Sequence, residues 1–209
     1  MQKDNNWDNI YSSVKNLKKL PWVRTTIPEW FKLIINSKWI APCKTLDVGC
    51  GNGYFSYYLS KKGFKVTGID VSKEIIIYAK KSYPQSNNLK FIVSNFFNKE
   101  TLSEKYNFIL DIGLFHNILP EKRKEFSKRL SELLFDKGKV LIFCFDKREG
   151  TFENKEIYFN SLINMYSYPL SKEEIIKTFS KDFIIEKIEE IRHGTNNYKR
   201  RYLCFLIKK

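Results

Sequence analysis

The chain has 209 residues, 43% of them hydrophobic and 16% aromatic, which is enough for one substantial core and short for two full domains, so a single domain is expected. No run approaches the roughly eighteen apolar residues of a membrane span, and the opening "MQKDNNWDN" lacks the apolar centre of a signal peptide; these features predict a cytoplasmic protein outside the membrane, and a monomer is expected. The formal charge of +14 raises a nucleic-acid partner, but the lysines are spread along the whole chain beside only two alanines and abundant Lys, Asn, Ile, Phe and Tyr, the residues of AT-rich codons, so a solvated lysine-rich surface accounts for most of the excess.

The first forty residues hold all four tryptophans. Trp7, Tyr11, Val14 and Leu17 recur at helical spacing, "LPW" (20–22) interrupts, and Pro28 opens a second helix. Residues 1–40 are therefore read as a helical segment that either packs on a sheet or forms a lid over a ligand, with Trp7, Tyr11 and Trp22 as candidates for a substrate pocket.

From Lys44 onward, apolar β-rich runs alternate with helical patterns, which predicts an α/β domain with a mostly parallel sheet. The candidate strands are "KTLDVG" (44–49), "KVTGID" (65–70), "LKFIVS" (89–94), "YNFILDIG" (106–113) and "KVLIFCF" (139–145), continuously apolar as strands buried on both faces are. Between them, a helix over 53–61 places Phe55, Tyr58 and Leu59 on one face, and Ser72 caps a helix carrying Ile75, Ile76 and Ala79. Pro120 starts a helix with Phe126, Leu130, Leu133 and Leu134 at helical spacing, before "DKG" turns the chain.

Residues 41–146 form this core; 147–170, rich in Phe and Tyr, reads as a substrate loop. Residues 171–209 open on the capping box Ser171–Glu174 and end in two antiparallel strand-like runs, "FIIEKIEEI" and "RYLCFLIKK", joined by the turn-rich "RHGTNN". Cys43, Cys50, Cys144 and Cys204 lack C-x-x-C spacing and read as free, mostly buried thiols, with no metal site expected.

The chemistry concentrates in "LDVGCGNGYF". Gly49, Gly51 and Gly53 form a G-x-G-x-G loop between strand and helix, where backbone can approach a ligand and amides can meet its polar groups. Asp70, at the end of the second strand, is placed to bind ribose hydroxyls. The third glycine comes one residue too early for a dinucleotide fingerprint, and Asp47 would repel a pyrophosphate; a carboxylate there matches an ammonium or sulfonium.

"LDVGCGNG" and "VTGIDVS" resemble the first two motifs of class I S-adenosylmethionine-dependent methyltransferases, over roughly residues 40 to 209. The resemblance implies a Rossmann-like, doubly wound, seven-stranded α/β sheet with an antiparallel C-terminal strand and helices on both faces. It implies S-adenosylmethionine as cofactor, with Gly49, Cys50, Gly51, Asn52 and Gly53 at its methionine end, Asp47 on its amino group, Asp70 and Val71 on the ribose, and Asn95 and Phe96 at the adenine. Asn95 stands where an acidic residue is usual, and its amide oxygen can accept the same hydrogen bond.

"LDIGLFHNILPEKRKEF" is similar to the thiopurine, thiol and tellurite-resistance branch, which acts on small molecules. Asp111 and Gly113 are implied at the cofactor, Phe115 and His116 at the substrate. His116 is a candidate general base or, alternatively, a structural imidazole at the strand end; Asp111 can instead cap backbone amides. His193 reads as a surface residue. The expected activity is in-line methyl transfer to a thiol, chalcogen or other small nucleophile. An RNA or protein methyltransferase using the basic surface, or a non-catalytic cofactor-binding domain, are the alternatives.

Overall fold

The computed structural model describes residues 6–14, 16–152, 154–161, 164–193 and 199–209. The turn expected at "RHGTNN" lies outside them beyond His193, as does the His193 side chain. Nine strands, β1 to β9 in chain order, are found among the described residues. Seven hydrogen-bond in the order β3-β2-β1-β4-β5-β9-β8, a mostly parallel sheet of Rossmann-like type. Backbone contacts divide the chain into two compact units, Trp7–Leu110 and a second that includes Asp111–Lys209.

In the first unit, β1 (Lys44–Val48) pairs in parallel with β2 (Lys65–Asp70), and β2 with β3 (Leu89–Val93). β4 (Tyr106–Ile112) begins here. Its helices are α1 (Trp7–Ser12), α2 (Glu29–Asn36), α3 (Tyr54–Lys61) and α4 (Lys73–Ser82). Leu46, Val48, Val66, Ile69, Phe91 and Phe108 of the strands are buried together with Leu59, Ile75, Ile76 and Ala79 of the helices, each large side chain contributing about 1.5–3 kcal/mol. Ser72 caps α4 by accepting from the Ile75 amide.

Helix α1 is shorter than its apolar spacing predicted. The Ser12 and Ser13 hydroxyls bond back to the Asn9 and Ile10 carbonyls, and Asn16 starts a separate 3-10 turn at Leu17–Lys19 by accepting from the Lys18 amide. These side chains offer the backbone alternatives to continued helix. Two tryptophans serve packing: Trp30 meets Phe31 edge-on, and Trp39 meets Phe108 the same way.

In the second unit, Pro120–Lys122 forms a 3-10 turn leading into α5 (Arg123–Glu132), followed by β5 (Leu134–Phe145). The "DKG" residues fall within β5, where Lys137 adopts φ 60°. A Cβ on Gly138 would stand 2.8 Å from the Phe135 carbonyl oxygen, which is why the smallest residue occupies that position. The capping box at Ser171 and Glu174 opens α6 (Lys172–Phe179). β8 (Phe183–His193) and β9 (Lys199–Lys208) are antiparallel, and β9 is antiparallel to β5.

The aromatic segment after β5 contains an element the sequence did not announce: β6 (Tyr158–Asn160) and β7 (Met165–Ser167), an antiparallel pair. Its ends are drawn together, since Leu170 donates to the Phe145 carbonyl and accepts from the Lys147 amide. All four cysteines are free, and Cys50, Cys144 and Cys204 are buried. Among the described residues no helix is long and apolar enough to cross a membrane, and no group of three His, Cys, Asp or Glu residues is arranged to hold a metal ion.

Candidate active site

The loop between β1 and α3 is built from left-handed backbone. Gly49, Gly51 and Gly53 have φ of 65°, 53° and 77°, conformations that side-chain-bearing residues rarely adopt. Gly53 has a second reason: a Cβ there would lie 2.6 Å from Phe91 Cζ. The Cys50 amide donates to the Ile69 carbonyl, tying the loop to β2, and Asn52 Nδ2 donates to the Arg24 carbonyl at 2.7 Å.

Two buried carboxylates frame this loop. Asp47, at the end of β1, accepts a 2.5 Å hydrogen bond from Ser56 Oγ of α3. Asp70, at the end of β2, accepts from the Gly51 and Ser72 amides, both at 3.0 Å. Burial pushes the Asp47 carboxyl up to about 7, opposed by the Ser56 hydroxyl and reinforced by Asp70. Burial likewise pushes Asp70 up to about 6, opposed by the amides it accepts from and reinforced by Asp8. Among the described residues neither is paired with a Lys or Arg. Asp8 of α1 in turn accepts from Ser72 Oγ at 2.6 Å.

Around them, Tyr11, Trp7 and Trp22 form one aromatic cluster with ring centroids 6.0–6.5 Å apart. Val71 is exposed. The exposed Asn95 uses its side-chain oxygen to accept from the Phe97 amide at 2.9 Å, a local turn that leaves a second lone pair on that oxygen; Phe96 beside it is buried.

In the second unit, Asp111 is fully buried and accepts from the Leu114 and Phe115 amides at 2.7 and 3.3 Å, so it caps the 3-10 turn Phe115–Asn117. His116 on that turn is buried, and its ring stacks on Phe145 with centroids 3.5 Å apart and planes 15° from parallel. Arg201 lies over the same Phe145 ring at 4.2 Å and is ion-paired with the buried Glu149. Burial, with the positive charges of Arg201 and Arg123, holds His116 well below the usual imidazole range, so the ring is neutral, and its Nδ1 has no hydrogen-bond partner among the described residues. Gly113 adopts φ 101°, a conformation side-chain-bearing residues rarely hold, and a Cβ there would only touch His116 Cε1, at 3.4 Å. Phe115 is buried between Phe126 and Phe179.

Comparison with known proteins places this arrangement. The family model described as Tellurite resistance protein TehB matches residues 25–145, more than half of the chain. The chain belongs to the TehB family. Among curated relatives, the probable S-adenosyl-L-methionine-dependent methyltransferase TehB of Haemophilus influenzae is 32% identical over 97 residues, covering 46% of this chain and 34% of that protein. The probable thiol methyltransferase 2 of Arabidopsis thaliana is 30% identical over 51% of this chain and 49% of its own. The human EEF1A lysine methyltransferase 2 is 37% identical over 46% and 45% respectively. The crystal structure of TehB from Haemophilus influenzae superposes with a TM-score of 0.66 at 22% identity, over 97% of this chain and 66% of that one. With this fold and these relatives, the TehB-family chain is a methyltransferase.

The structure brings Asp47, Gly49, Gly51, Gly53, Asp70 and Tyr11 together in the first unit, and Asp111, Gly113, Phe115 and His116 in the second. Sequence reasoning missed Asp8 and Ser56, whose partners lie 64 and 9 residues away, and the Phe145, Glu149 and Arg201 group around His116. Ser72 was legible only as a helix cap.

Proposed function

We propose that this TehB-family protein transfers the methyl group of S-adenosylmethionine to a small nucleophile such as a thiol or chalcogen. One observation carries the cofactor assignment: two buried carboxylates beside a glycine loop, neither neutralised by a side-chain cation among the described residues, which suits a ligand bringing its own positive charge. S-adenosylmethionine, when bound, supplies an electrophilic methyl group on a sulfonium.

The glycines let the backbone approach the methionine end, with Cys50 and Asn52 in the same loop. Asp47 accepts from the ammonium, Asp70 binds the ribose hydroxyls beside Val71, and Asn95 accepts from the adenine amine near Phe96. Asp111 shapes the turn whose amides it caps, and Gly113 supplies the positive φ that leads into it. Phe115 and His116 serve the acceptor: the neutral imidazole can take a proton at Nδ1 from an oxygen or amine nucleophile, while a thiolate needs only a dry aromatic wall. The Trp7 and Trp22 rings exclude water. The family and the thiol methyltransferase relative support a small-molecule acceptor, whereas the human relative keeps a protein lysine as the second reading.

Labelled-methyl transfer from S-adenosylmethionine into fractionated cell extract, with and without protease and ribonuclease, decides the matter. Label in the low-molecular-weight fraction that survives both enzymes is expected. Label that disappears with protease establishes the protein reading, and label lost with ribonuclease an RNA acceptor.

A further inference from the structure

Tyr11 is grouped with Trp7 and Trp22 as a candidate for the substrate pocket, and in the fold its hydroxyl stands beside the glycine loop. Its phenol is 5% exposed on α1, and its oxygen would lie 3.8 Å from a Cβ built on Gly51, the central glycine of the cofactor loop. Trp22 Nε1 donates to that oxygen at 3.2 Å. This contact uses a lone pair and turns the hydroxyl's own proton to another acceptor, which no described side chain supplies. The Gly51 amide is already committed to Asp70. A donor is therefore needed at this point in the loop if a ligand carboxylate is to lie there, and Asp47 and Asp70 would otherwise repel it.

We propose that Tyr11 is a cofactor-binding residue, its hydroxyl donating to the carboxylate at the methionine end of S-adenosylmethionine, with Trp22 orienting it. The inference rests on the cofactor assignment above and moves Tyr11 from acceptor to donor side. Burial, with Asp70 nearby, holds the phenol well above its ordinary range, so it remains protonated and able to donate throughout the physiological range. α1 is itself held in place by Asp8, which accepts from Ser72 at the start of α4. The donor is thus mounted on a helix anchored beside the loop.

The test is calorimetric and needs no acceptor. Tyr11→Phe keeps the ring contacts to Trp7 and Trp22 and removes only the hydroxyl. It is expected to weaken S-adenosylmethionine and S-adenosylhomocysteine about tenfold each, the size of a lost hydrogen bond to a charged group. Decarboxylated S-adenosylmethionine, which lacks the partner group, is expected to bind the wild type and Tyr11→Phe equally. Trp22→Phe, which removes the orienting donor, falls between. Equal losses with all three ligands, or no loss with any, overturn the proposal. Absence of binding by the wild type overturns the cofactor assignment instead.

Discussion

Asp47 and His116 are buried ionisable residues whose pH responses have opposite signs. An aspartate raised from 3.8 to about 7 binds more protons folded than unfolded, so its contribution to stability is greatest at low pH and is lost as pH rises from about 4 to about 7. The ligand-free protein carrying Asp47→Asn should therefore melt several degrees above the wild type at pH 8, with the gap closing by pH 4, in scanning fluorimetry. The same ionisation favours a cation, so calorimetric affinity for S-adenosylmethionine should climb between pH 5.5 and 7.5 in the wild type. His116 is lowered, and its contribution is complete above about 6.5 and is lost as pH falls below it. His116→Ala is expected to lower turnover about a hundredfold on an acceptor that must lose a proton, with cofactor affinity unchanged; unchanged turnover on the true acceptor would return the ring to a packing role. The glycines and Asp47 were legible because they sit within one short motif, and Asp70 because it ends the next strand. The Phe145 ring shared by His116 and Arg201, and the seat of Tyr11 at Gly51, join residues far apart in sequence, and no local pattern encodes them.

At the scale of elements, the glycine loop is the least tolerant piece of chain. Gly53→Ala combines φ 77° with a clash on the Phe91 ring, so a loss of about 3 kcal/mol is expected from backbone strain and overpacking together, read as a lower midpoint in urea. Caps at Ser72 and at Ser171–Glu174, the main strands and Pro120 were readable because each depends on neighbours within a turn or two. β6 and β7 were not, since three residues give no periodicity to read, and their pairing supplies what propensity does not. Helix α1 was overextended because apolar spacing continued where Ser12, Ser13 and Asn16 had already diverted the backbone.

For the whole molecule, the charge of +14 stays without an assigned role, and the acid pair is the feature that couples ligand to stability. S-adenosylmethionine at a hundred times its dissociation constant should add about 2.7 kcal/mol, raising the melting temperature by roughly 5–10 °C. A shift below 1 °C at millimolar ligand would contradict the cofactor assignment. The mostly parallel sheet follows from alternating strand and helix patterns, whereas the chain between β5 and α6 obeys no such rhythm. That stretch is clasped at its root by the two hydrogen bonds of Leu170, to Phe145 and Lys147. Because the clasp closes the loop independently of what lies within it, and closure entropy rises only slowly with length, its interior can be exchanged or lengthened while β5 and α6 keep their places. Divergence of acceptor preference among close homologues should accordingly be written there, as changes in length and aromatic content, before it reaches the sheet.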